Sequence, residues 1–169
     1  MNALQVGLLV FPALMAYAAA SDLLTMTIPN RLSLGLVVAF AVFAAVGGLA
    51  GGAVLLHLAA GGAVLALTFG LFAAGWIGGG DAKLAAAIAL WFGFGPLPEY
   101  LVLASFLGGG LTLAILLLRR QTLPAFTERW TWLRRLHDPA CGVPYGIALA
   151  AAALVLYPQT AIWTALAPV

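Results

Sequence analysis

Charge is what this chain has least of. Only 7% of its 169 residues are Asp, Glu, Lys or Arg, whereas a water-soluble domain covers its surface with about a quarter. A soluble exterior is therefore excluded, and lipid must solvate most of the outside. Cysteine is nearly absent: the single Cys141 excludes an internal disulfide and any metal site built on several thiolates. A formal net charge of +2 is too small to hold nucleic acid. The opening "MNALQVGLLV" contains no Lys or Arg, while a secretory signal peptide normally starts basic. That apolar start reads as a retained first span, although "AYAAASD" offers small residues near a cleavage point.

What fills the chain instead is apolar, with 64% hydrophobic residues and a mean hydropathy of +1.12. A spanning helix needs roughly 20 mostly apolar residues. Six stretches qualify, near 3–21, 32–48, 52–75, 82–96, 99–118 and 144–166, the fourth being short and interrupted by glycine. The expected fold is all-α: a single polytopic membrane domain over 1–169 with about six transmembrane helices. "GGLAGG" (47–52) and "GPLPE" (95–99) read as tight turns between spans. Lys and Arg accumulate on the cytoplasmic side. All 7 here fall in odd-numbered connections (Arg31, then Lys83, then Arg119, Arg120, Arg129, Arg134 and Arg135). The even connections carry only Glu99. That asymmetry puts both termini outside, and losing one span would scatter the charges over both sides.

The one long connection, 119–143, reads as a basic, aromatic cytoplasmic loop. Phe126, Trp130 and Leu133 recur at helical spacing with Arg129 and Arg134 elsewhere around the turn. This is the pattern of an interfacial helix on anionic headgroups; substrate reception is the alternative use. His57 and His137 are isolated and read as structural or surface residues rather than metal ligands. "FLGGGLT" (106–112) offers a small-residue surface for helix packing or for a substrate helix.

Of the 5 acidic residues, Glu99, Glu128 and Asp138 sit in turns or the long loop. Asp22 and Asp81 instead abut the ends of apolar spans, where an ionisable group is costly and marks function by default. The bland alternative is that Asp81 caps a helix and Asp22 snorkels to water. Two crossings separate them, so both lie on the cytoplasmic side at similar depth. Two carboxylates in one partly dry pocket do not both ionise; one holds a proton and the other the charge. That is the equipment of an aspartic protease, where one member activates water and the other hydrogen-bonds the scissile carbonyl. Helix-terminus electrostatics then divide the roles. Asp81, beginning span four, is the expected resting carboxylate, and Asp22, closing span one, the resting acid.

The flanks carry further signals. In "SDLLTMTIPNRL" (21–32), Pro29 biases Ile28 away from helix, and Asn30 is placed to cap the second span. In "WIGGGDAKL" (76–84), three glycines read as a helix break, and Gly78, Gly79, Gly80 and Asp81 follow the order Gly-x-Gly-Asp. Lys83 lies two residues beyond Asp81, on a different helix face, and is expected to reach headgroups.

With both motifs in one six-span chain, the sequence resembles the type IV prepilin peptidases, which are GxGD-type membrane aspartic peptidases. It is most similar to the small forms that serve tight-adherence (Flp-type) pilus systems. The resemblance rests on Asp22 with Ile28, Pro29 and Asn30, and on Gly78, Gly80 and Asp81 with Lys83 and Leu84. "GVPYGIALA" adds Pro144, Tyr145 and Gly146. It implies a bacterial inner-membrane endopeptidase with its active site at the cytoplasmic face. Such an enzyme removes a short basic leader from a prepilin (a Flp-type pilin or pseudopilin), cutting after glycine. By resemblance Asp22 and Asp81 are the catalytic pair, with no cofactor and no metal; the other motif residues shape the site or bind substrate. Larger members carry a paired-cysteine segment, often zinc-binding, and methylate the new N-terminus. This chain has no such insert, so the resemblance does not extend to zinc or methylation. Glycines beside Asp81 would let substrate backbone approach closely.

The rival from another class is a proton- or ion-coupled transporter using the two aspartates as a relay. Relay carboxylates usually lie near the midplane, whereas these sit beside Lys or Arg at one edge. A third reading is a non-catalytic assembly subunit in which both aspartates only cap helices. Oligomeric state is not legible in the sequence.

Overall fold

A computed structural model of the protein describes residues 7–124 and 129–167, and every regular element among them is helical. The helices are α1 (Val10–Thr25), α2 (Asn30–Val46), α3 (Gly51–Ala73), α4 (Gly79–Phe92), α5 (Leu97–Arg119), α6 (Thr131–His137), α7 (Gly146–Leu156) and α8 (Ala161–Leu166). A 3-10 turn, Tyr157–Gln159, links the last two. Two helices, α3 and α5, are long and apolar enough to cross a membrane; α1, α2 and the 146–159 segment are shorter apolar helices.

Two expected boundaries move. The first helix runs on to Thr25, so Asp22 lies inside its last turn rather than beyond it. The stretch expected as one span over 144–166 is two helices. Pro158 has no N–H for a continuing ladder, and the chain tightens into the 3-10 turn there. Thr160 then starts α8, its Oγ1 accepting from the Trp163 backbone N–H at 3.2 Å.

The fourth helix, short and glycine-led, is the centre of the molecule. Every residue from Leu84 to Phe92 is buried, because α2, α3, α7 and α8 all pack against it. A helical stretch that is apolar on all sides, as 84–92 is, and enclosed by protein need not match lipid thickness. Its alanines and those of α7 (Ala148, Ala150, Ala152 and Ala153) are buried, since small side chains let helices approach closely. On the long helices many large apolar residues point outward: Leu55, Leu67 and Phe69 on α3, and Val102, Phe106 and Leu113 on α5, are exposed.

An aromatic cluster fixes one end of this bundle. Phe11 stacks on Tyr157 at 4.6 Å and meets Trp91 at 4.7 Å, while Trp91 Nε1 donates to the Leu36 carbonyl at 2.9 Å. His57 Nδ1 lies 2.8 Å from the Leu90 carbonyl. Only an N–H bonds a carbonyl, so the proton is on Nδ1, and the ring satisfies one of the orphan acceptors in the last turn of α4. His57→Leu is expected to cost about 1–3 kcal/mol for the orphaned carbonyl. The check is a lowered thermal midpoint in detergent, equal with and without a chelator, since the ring bonds protein rather than metal.

Candidate active site

The opposite end of the bundle is where α1 ends and α4 begins. After α3 the chain turns at Gly75, whose φ of 75° is left-handed, and reaches Gly78 in extended conformation as the N-cap of α4. The expected break between the third and fourth helices is there, over residues 74–78; of the three glycines, Gly78 caps α4, and Gly79 and Gly80 are its first residues. Their smallness serves packing. A Cβ on Gly80 would lie 3.2 Å from Ile28 Cβ, and one on Gly79 3.2 Å from the Phe72 ring. Asp81 sits in the first turn of α4 and its carboxylate accepts the Gly78 backbone N–H, the reach-back half of a capping box.

Asp22 is placed by a different device. Its backbone carbonyl accepts the Met26 N–H at 2.8 Å, and Met26, left-handed at φ 55°, ends α1. Residues 27–29 then run without helix, tied by the Ser21 hydroxyl donating to the Thr27 carbonyl at 2.8 Å. This matches the extended turn that Pro29 imposes. The Asp22 side chain is buried, at 5% exposure, and its Oδ2 accepts the Gly146 N–H at 2.7 Å. Gly146 opens α7. Both carboxylates thus receive N–H groups from helix N-termini. The asymmetry expected from local sequence, with only Asp81 so placed, is corrected: Asp22 closes its own helix but faces the start of another.

Asp22 and Asp81 line the same two cavities. One, of about 270 Å³, also takes in Ile28, Gly78, Gly79, Gly80 and Lys83. The other, of about 730 Å³, lies between the 75–78 turn and the 142–145 segment and includes Tyr145. Pro29 and Pro144 line neither; Pro29 caps α2 in extended conformation and Pro144 is fully buried. Tyr145 is seated by Gly108, where a Cβ would overlap its ring, and its hydroxyl donates to the Ala104 carbonyl at 3.4 Å. One glycine of the small-residue run on α5 is therefore consumed by internal packing, while Gly109 and Gly110 face open space.

One expectation about the flanks is also corrected: Asn30 makes no side-chain cap on α2. Its Oδ1 instead accepts from Lys83 Nζ at 2.6 Å, joining the two motifs across 53 residues.

Sequence reasoning missed two arginines. Arg119 donates from Nε to the Leu136 carbonyl at 2.7 Å, and from Nη2 to those of Cys141 and Gly142 at 2.9 and 3.0 Å. Arg135 donates to the Leu24 carbonyl at 3.0 Å, in the last turn of the helix that carries Asp22. These cations fold the long loop onto the bundle. Its helix, α6, is seven residues long and starts after Trp130. It turns Leu136 inward while Trp130 is exposed; Phe126, part of the expected stripe, lies outside the described residues. A basic side chain reaching back to several carbonyls has no local pattern that would reveal it. Arg119→Met removes three charge-assisted bonds, each worth about 1.5–3 kcal/mol. Limited proteolysis of the protein in detergent is expected to nick residues 138–143 about ten-fold faster, and an unchanged rate would show the loop is held by other contacts. His137 Nε2 lies 2.7 Å from the Gln121 carbonyl, so neither histidine joins the site.

No curated protein and no solved structure matches the chain. The model of the type IV leader peptidase family matches residues 9–113, more than half of the chain and both aspartates, and the protein belongs to that family.

Proposed function

We propose that the protein is a membrane-embedded aspartic endopeptidase acting on prepilin-like substrates. It removes the short basic leader at the cytoplasmic face of the bacterial inner membrane, cutting after glycine. The observation that carries this reading is that Asp22 and Asp81, from helices 59 positions apart, line the same cavities in a chain of a leader peptidase family. In the reaction, the ionised aspartate takes a proton from water while the protonated one donates to the scissile carbonyl oxygen. The resulting gem-diol collapses, and a proton passes to the departing amine. No cofactor enters this scheme.

The chain is read as one domain crossing the bilayer six times, through α1 to α5 and then 146–166, with both termini outside. The cations then gather at the end that holds the aspartates. At 1.5 Å per residue α4 spans about 21 Å, less than a bilayer's roughly 30 Å core; the cavity at its start, open to the cytoplasm, makes up the difference. Gly78, Gly79, Gly80, Ile28, Lys83 and Tyr145 line the cavities and meet the substrate, while Pro29, Asn30, Pro144 and Gly146 shape the site from behind that lining. A transport relay would call for carboxylates midway along the bundle, and these stand at one end, away from the aromatic cluster. The test is cleavage of a prepilin with a Gly–hydrophobic junction by the purified protein in proteoliposomes. Release of the leader after glycine is the expected result; no cleavage of such substrates would sink the reading.

A further inference from the structure

Lys83 stands two residues from Asp81 and lines the 270 Å³ cavity beside both aspartates. It makes an ion pair with neither; its bond is to the Asn30 amide oxygen at 2.6 Å. Among the residues lining the two aspartate cavities, Lys83 is the only cation. The other titratable groups facing the pair are neutral phenols, Tyr145 in the larger cavity and Tyr100 on α5. Arg135, from α6, is turned to the Leu24 carbonyl.

This placement matters for a two-carboxylate site. Such a site works with one proton shared between its members. An ammonium within about 4–6 Å favours the charged carboxylate, and a lysine's flexible stem gives it that reach. A cation free in the cavity would hold both aspartates ionised and remove the general acid. Asn30 offers a neutral acceptor that does not titrate, and it is fixed at the first position of α2. We infer that Asn30 parks the Lys83 ammonium away from the Asp22–Asp81 pair, so that the pair keeps its proton. Asn30 and Lys83 are on this account positioning residues, acting through the aspartates. The inference rests on the peptidase reading above.

The experiment compares wild type, Asn30→Leu and Asn30→Leu/Lys83→Met in proteoliposomes with a full-length prepilin. Asn30→Leu is expected to lower kcat at least about ten-fold, general acid catalysis being worth 10²–10⁴, with KM little changed. Removing the loosened cation should restore at least about half of that loss on a logarithmic scale. A lost structural clasp predicts no such recovery, and recovery itself shows that the variant is folded. Infrared spectroscopy of the resting protein supplies a readout independent of cleavage. The band of a protonated carboxyl should be present in wild type, lost in Asn30→Leu and regained in the double variant. A double variant no faster than Asn30→Leu when wild type cuts, or a band unchanged across the three, overturns the inference. Wild type that shows the band pattern but cuts no prepilin removes the peptidase reading and leaves the parked cation standing.

Discussion

Asp22→Asn and Asp81→Asn, made separately, are each expected to lower prepilin cleavage by at least about a thousand-fold, the upper range for a lost general acid or base. The substitution is chosen to leave the fold alone. Asparagine keeps the carbonyl oxygen, so residue 22 still accepts the Gly146 N–H, 2.7 Å away in the native protein, and residue 81 still accepts from Gly78. What is lost is the capacity to hold or yield a proton. Because the two act as one unit, the double variant should be no worse than either single one. Unchanged thermal midpoints in detergent would show that the loss is chemical. If one variant is inactive and the other cuts at the native rate, a single carboxylate performs the reaction and the shared cavity is incidental.

The pair was legible in the sequence because charge in an apolar chain is conspicuous. With so few ionisable residues, two aspartates at span ends stand out, and counting crossings puts them at one face. What lies between distant segments was not legible. The Lys83–Asn30 bond spans 53 positions and the Asp22–Gly146 bond 124; helical periodicity says which face a side chain takes, not which helix it meets. The same limit produced the error about helix termini. Local sequence shows that Asp22 closes α1, but not that the start of α7 is brought against it.

Hydropathy and length do not say which helix is central. The stretch at 82–96 is short for a span, and its helix, α4, is the most enclosed. A signal was available in side-chain size. Alanine fills the middle of α4 and α7, while Leu, Val and Phe dominate the outward faces of α3 and α5. In a bilayer burial gives large apolar residues little gain over lipid contact, and small ones allow close helix contact. Alanine-rich spans are thus the ones to place at the centre.

Gly146→Ala is expected to lower kcat about a hundred-fold with little change in KM, since a misplacement near 1 Å in a catalytic group costs that much. The added Cβ would fall 2.8 Å from Asp22 Oδ2 and 2.8 Å from Ile28 Cδ1, closer than real Cβ contacts. The start of α7 cannot retreat, because its buried alanines bed the helix against α1, α4 and α5. Asp22 or Ile28 must therefore move. A glycine replaced where nothing crowds it gives the control: Gly70, on α3, has no atom within 4 Å of its added Cβ. Gly70→Ala should retain native activity and gain up to about 1 kcal/mol of helix stability. Combining Gly146→Ala with Ile28→Val identifies which neighbour gives way. Valine lacks Cδ1, so recovery assigns the damage to the turn that Ile28 anchors beside Gly80. Continued loss assigns it to the Asp22 carboxylate, driven off its 2.7 Å bond to the Gly146 N–H. A native kcat in Gly146→Ala alone would show that this bond plays no part in setting the pair.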